Sequence, residues 1–282
     1  MIRDNSNAPP VLHRRGFVSG ALASLGLALV ALSARAQTEA PAEATEQQTQ
    51  VAAASHLQIV LPEIAEAFLA DTGEAIEFSF GLCGELADQI RKGAPYEIYL
   101  SADENNVLNL ARDGMTPDQG VIYGVGRIAL IVPNGSRLKP DGSLSDLKKA
   151  LGDGRLIRLA IADPENAIYG RRAEQALQYG GLWEDIQPKL VLGQTGAQAA
   201  ELAVSANVSG GIIAYPLALS NKIAGRGTIG LIPEDNHAPF QHRMVLLNDA
   251  GPVAQEFYSY LQQPAARAIF RRNGFFLPEE LR

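Results

Sequence analysis

The chain holds one cysteine, Cys83, in 282 residues. A single thiol excludes an intramolecular disulfide and any metal site built from a cysteine cluster. It also excludes a lipid anchor, because no cysteine sits near the N-terminal apolar run. Aromatic residues are scarce at 6%, too few for a surface that stacks on bases. Positive charge is in deficit. Lysine and arginine number 24 against 31 acids, a formal charge of −7, which argues against a protein that lives on phosphate backbones. No internal repeat is present. Gly124-Val125-Gly126 lacks the third glycine and the helix context of a dinucleotide-binding loop. What remains is ordinary globular composition, 46% hydrophobic and 20% charged, on a length that makes one or two domains.

The first 36 residues read as an export signal. Arg14-Arg15 precede an uncharged, apolar-rich stretch from Gly16 to Ala34, and Ala34-Arg35-Ala36 gives the small-x-small pattern of a cleavage site. The paired arginines before Gly16-Phe17-Val18 fit the twin-arginine variant. The expected location is therefore the periplasm. Without the four basic residues and one acid of this leader, 20 basic and 30 acidic residues remain, a formal charge of −10. An anion bound by such a chain must be held by local donors, not by bulk charge. Residues 37–48, rich in Ala, Glu, Gln and Thr, have no apolar period and are expected to form a flexible tail.

From Val51 onward, short apolar runs alternate with amphipathic segments. Val51 to Ala54, Ala75 to Phe80 and Ile98 to Leu100 read as strands. Leu57 to Phe68, Glu85 to Lys92 and Glu104 to Arg112 read as the helices that follow them. The alternation resumes with Leu156 to Ile161, Gly170 to Tyr179, Leu190 to Leu192, Ala197 to Ala206 and Gly211 to Ala214. It predicts α/β architecture with parallel sheets covered on both faces. Val121 to Val132 is too long for one such strand and is expected to leave one lobe and enter a second; Met244 to Leu247 is expected to return. The expected division is lobe I, 49–124 plus 242–282, and lobe II, 125–241, with hinges at Tyr123 to Gly126 and around Gln241. Ligands of such sheets sit beyond the carboxyl ends of the strands, near helix N-termini.

Three strand-to-helix turns share one design: Ala54-Ser55-His56, Gly81-Leu82-Cys83-Gly84 and Gln194-Thr195-Gly196-Ala197. Each presents backbone N–H groups at the positive end of a helix dipole, where an anion is held without a cation. Ser55 adds a hydroxyl donor. Taken singly, Ser55 and Thr195 are also ordinary helix caps.

With these turns in place, the chain resembles the periplasmic molybdate-binding proteins of ABC transporters, within the two-lobed type II solute-binding fold with a central ligand cleft. The resemblance is carried by Ala52 to Ser55, Phe78 to Gly81, Leu86 to Ile90 with Gly93-Ala94-Pro95, and Leu100-Ser101-Ala102-Asp103. It continues through Ala162-Asp163-Pro164 with Tyr169-Gly170, Gly211 to Tyr215, and Ile269-Phe270 with Asn273-Gly274-Phe275. It implies a dehydrated tetrahedral dianion, molybdate or tungstate, held by neutral donors with neither cofactor nor metal. It also implies a monomer that delivers this anion to a permease driven by a cytoplasmic ATPase. Carried over by position, the ligand-binding residues are Ser55, His56, Cys83, Tyr169, Ala197 and Tyr215. Ser55 gives hydroxyl and N–H, Tyr169 and Ala197 give N–H, and Tyr215 gives its phenol. Two positions depart from the family pattern: His56 stands where asparagine is frequent, and Cys83 where serine is usual.

These departures leave other readings open. A protonated His56 would add a formal charge beside the anion, so that affinity weakens as pH rises through its pKa. Cys83 and His56 would form a thiolate–imidazole pair in an enzyme. His56, Cys83 and either His237 or His242 would supply ligands in a metal-binding protein of the same fold.

Overall fold

The computed structural model describes residues 48–278. The expected leader over 1–36 and all but the last residue of the expected tail over 37–48 lie outside the described residues. The chain begins with β1 (Thr49–Ala54), α1 (Val60–Thr72), β2 (Ile76–Gly81), α2 (Cys83–Arg91), β3 (Ile98–Ser101) and α3 (Glu104–Arg112). It continues through β4 (Val121–Val125), β5 (Ile128–Pro133), α4 (Ser145–Gly152), β6 (Leu159–Ala162), α5 (Ile168–Tyr179), α6 (Trp183–Ile186), β7 (Leu190–Gly193) and α7 (Gly196–Ala203). The last elements are β8 (Gly210–Ala214), α8 (Tyr215–Leu219), β9 (Gly227–Leu231), β10 (Gln241–Leu246), α9 (Pro252–Tyr260) and α10 (Pro264–Arg272).

The strands make two five-stranded sheets, one in the order β2-β1-β3-β10-β4 and one in the order β7-β6-β8-β5-β9. β1 shows why its residues form a central strand: Val51, Ala52, Ala53 and Ala54 are all buried, as expected when helices cover both faces. α1 buries Val60, Leu61, Ile64 and Phe68 along one stripe, and Phe68 meets Phe257 of α9 edge-on at 5.1 Å.

The sheets are mixed, not purely parallel. β10 runs antiparallel to β3 and β4, and β5 runs antiparallel to β8 and β9. Parallel neighbours need a covering crossover. β5 and β10 instead arrive directly from the other sheet and enter against the local strand direction. Only Gly126 and Arg127 separate β4 in the first sheet from β5 in the second. Gly126 is required there by close approach, since a Cβ would fall 2.0 Å from the Phe240 ring. The strand expected from Leu156 begins instead at Leu159, and Ile157 stays exposed while its N–H is taken by Ser209 Oγ.

Candidate functional site

The carboxyl ends of β1, β2, β3 and β6 face one cavity of about 380 Å³, lined from the first sheet by Ser55, His56, Cys83, Gly84 and Asp103 and from the second by Asn166, Ile168, Tyr169, Arg171 and Gly196. Helix first turns supply most of this lining. The earliest helical bonds are Leu86 N to Leu82 O in α2, Arg171 N to Ala167 O in α5 and Ala199 N to Thr195 O in α7. The N–H groups of Cys83, Gly84, Ile168, Tyr169, Gly196 and Ala197 precede those bonds, and such groups need partners from outside the helix. The approach of α5 depends on Gly170, where a Cβ would fall 2.3 Å from the Ala162 carbonyl oxygen. A larger groove of about 540 Å³, along Arg91, Tyr96 and Asn248, lies at the opposite end of the first sheet's parallel strands.

The structure brings Ser55, His56, Cys83 and Tyr169 together around the cavity, and Ala197 directly follows the lining residue Gly196. It does not bring Tyr215 there. Tyr215 is the first residue of α8; its N–H is bonded to Arg127 O at 3.0 Å and its ring packs on Phe276 at 6.1 Å. The phenol expected at the anion is thus not part of the cavity lining, and its ring lies against Phe276.

His56 does not face bulk solvent. It is 2% exposed, and burial, with the neighbouring His242 second, holds its pKa well below the usual imidazole value of 6.5. With no anion in the cavity, burial thus disfavours the charged ring. Burial likewise pushes the Cys83 thiol above its usual 9.0. Sγ accepts from the Ala102 N–H at 3.3 Å. A neutral thiol beside a neutral imidazole is not the activated pair that nucleophilic chemistry requires.

The ligands for a metal do not assemble either. His56 and His242 are neighbours, with ring centroids 4.7 Å apart, but among the described residues no group of three His, Cys, Asp or Glu is placed to hold an ion. His237 turns its Nδ1 to the Ala238 carbonyl at 3.0 Å.

Two cross-cleft bonds escaped the sequence reading. Arg171 donates to Asp103 Oδ2 at 2.7 Å across the rim, and Asp103 also caps α3 by accepting from Asn105 N at 3.1 Å. On the floor, Tyr169 Oη lies 3.1 Å from His242 Nε2. The Asp103 cap was readable as a helix start, but its partner lies in the other sheet. The only cation lining the cavity among the described residues is Arg171, already neutralised by Asp103.

A family model described as bacterial extracellular solute-binding protein matches residues 49–276. The chain belongs to that family. Among relatives of this solute-binding protein, the molybdate-binding protein ModA of Rhodobacter capsulatus is 32% identical over 218 residues, which span 76% of this chain and 82% of that protein. ModA of Azotobacter vinelandii is 30% identical over 263 residues, 92% of this chain and 98% of its own. The solved structure of the Azotobacter vinelandii periplasmic molybdate-binding protein matches with a TM-score of 0.73 at 25% identity, covering 82% of this chain and 100% of that one. The solute-binding protein described here therefore has the same two-lobed α/β architecture.

Proposed function

We propose that this protein captures a tetrahedral oxyanion, molybdate or tungstate, in the periplasm and delivers it to the permease of an ABC importer powered by a cytoplasmic ATPase. One observation carries the reading: first turns of helices from both sheets, with N–H groups that precede the first helical bond, line a single cavity whose only cation among the described residues, Arg171, is already paired. Helix N-termini of this kind suit an acceptor-only anion. The molybdate-binding relatives, similar over most of their length, support the same ligand.

In this reading Ser55, His56, Cys83, Tyr169 and Ala197 hold the anion. Ser55 gives its hydroxyl, and Tyr169 and Ala197 give their N–H groups. A hydrogen bond to a charged group contributes about 1.5–3 kcal/mol. About six of them offset much of the anion's lost hydration, and the surplus appears as affinity. The lobes are 49–124 plus 242–282 and 125–241, closing by hinges at Tyr123 to Gly126 and around Gln241. The protein acts as a monomer, exported through a cleavable twin-arginine signal over residues 1–36. A thermal-shift screen of the mature protein against molybdate, tungstate, sulfate, phosphate and divalent metals tests the ligand. Marked stabilisation by molybdate or tungstate is expected; stabilisation by a metal cation alone overturns the reading.

A further inference from the structure

The floor of the cleft pairs His56, one of the anion-holding residues, with His242, which that role does not use. His56, from the turn after β1, and His242, near the start of β10, lie with ring centroids 4.7 Å apart and are 2% and 1% exposed. Tyr169 covers both from the opposite sheet, at 5.2 Å from His56 and 6.0 Å from His242. Phe275 and Phe240 close the remaining sides. The phenol of Tyr169 is the natural donor to His242 Nε2, which leaves the ring proton of His242 on Nδ1. That nitrogen and His56 Nε2 are both buried without a hydrogen-bond partner.

We infer that this histidine pair couples anion capture to proton release: the cleft closes over neutral rings, and acidification favours the open form and lets the anion go. The inference rests on the oxyanion-capture reading and adds its regulation. Parting the lobes takes the Tyr169 ring off both imidazoles and admits water, so each ring regains an ordinary affinity for protons. Closing again requires the protons to leave. A charged His242 in the closed floor would face a second imidazole at 4.7 Å, and among the described residues no carboxylate is bonded to either ring.

The ionisable groups around the pair support that sign. From α5 comes Tyr169, from β4 Tyr123 and from the start of α2 Cys83; burial keeps all three protonated and neutral. Behind Phe240 stand Arg172 and His237, a cation and a neutral ring. Asp103 sits at the rim, bound to Arg171. Nothing among these welcomes a second positive charge. Burial accordingly lowers His242 to about 3, and it lowers His56 as well.

The sign follows from linkage. With both rings kept neutral in the closed form, that form binds fewer protons than an open form with ordinary imidazoles below pH ~6.5, and affinity falls as pH falls through that value. One imidazole alone gives about a tenfold loss between pH 8.0 and pH 5.5, and two give more. This is the reverse of what a charged His56 attracting the anion would produce.

The test is isothermal titration of the mature protein with sodium molybdate between pH 5.5 and 8.0, repeated in buffers of different ionisation enthalpy to count protons. Expected are weaker binding toward pH 5.5 and protons released on binding, near zero at pH 8.0 and approaching one per imidazole at pH 5.5. H242Q should reduce the slope, and H56Q/H242Q should flatten it. The wild-type proton count stands whether or not the variants fold. Binding without proton release, or binding that tightens on acidification, overturns the inference and leaves the capture reading intact. No binding at any pH overturns the capture reading, and the inference with it.

Discussion

At Cys83 a sulfur stands where a stronger donor would serve an anion better. Its thiol is held protonated by burial, and its Sγ already accepts from the Ala102 N–H. A thiol donates weakly, so the site draws its strength there from the free N–H groups of the α2 first turn rather than from the side chain. C83S should therefore keep the affinity for molybdate or raise it, by up to about tenfold if the hydroxyl turns into the cleft. Titration of the variant checks this. A tenfold loss instead would mean that sulfur itself selects the ligand. Tyr215 shows the limit of reading such residues from sequence. It follows β8 directly, and whether its ring enters the cleft or turns to Phe276 is set by one position at the strand end. Its N–H bonds to Arg127 O in the two-residue link between β4 and β5, a partner far away in sequence.

At the scale of elements, the cleft is a set of helix first turns, and each is held by a local device. Thr195 Oγ1 accepts from Gln198 N at 3.1 Å, leaving the N–H groups of Gly196 and Ala197 free. T195A should cost about 1 kcal/mol of stability, as lost caps do, and should also weaken molybdate binding. Melting and titration on the same variant separate the two, and unchanged affinity would remove α7 from the site. The Arg171–Asp103 bond ties α5 to the N-cap of α3 across the cavity mouth. An ion pair this exposed is worth at most about 1 kcal/mol, so R171A should speed anion release about two- to fivefold. Stopped-flow measurement of the dissociation rate checks it; an unchanged rate would mean the pair does not latch the mouth. The turns themselves were legible in sequence, because glycine, serine and threonine between an apolar run and an amphipathic run mark a strand-to-helix junction. The latch and the histidine floor were not. Arg171 and Asp103, like Tyr169 and His242, meet only because two sheets face each other, and no local pattern encodes that.

For the whole molecule, two sheets are joined by strands that pass between them without a covering helix. The alternation of strand and helix made the α/β class legible, since buried strands such as β1 read as continuous apolar runs. It did not reveal that β5 and β10 run against their neighbours, because strand direction depends on how the chain arrives and not on side-chain pattern. In the proposed reading those two crossing points are the hinges. Two bonds, Arg171 to Asp103 and Tyr169 to His242, span the cleft, and in that reading this is the closed form. Adding molybdate to the mature protein should therefore reduce its radius of gyration in small-angle scattering; an unchanged profile would argue against closure. The most direct measurement of all is a crystal structure with tungstate, located by its anomalous scattering. The heavy atom is expected between the first turns of α2, α5 and α7, within hydrogen-bond reach of Ser55 and with its water removed. A heavy atom bound elsewhere, or a cleft in which those N–H groups turn away from it, would contradict the account.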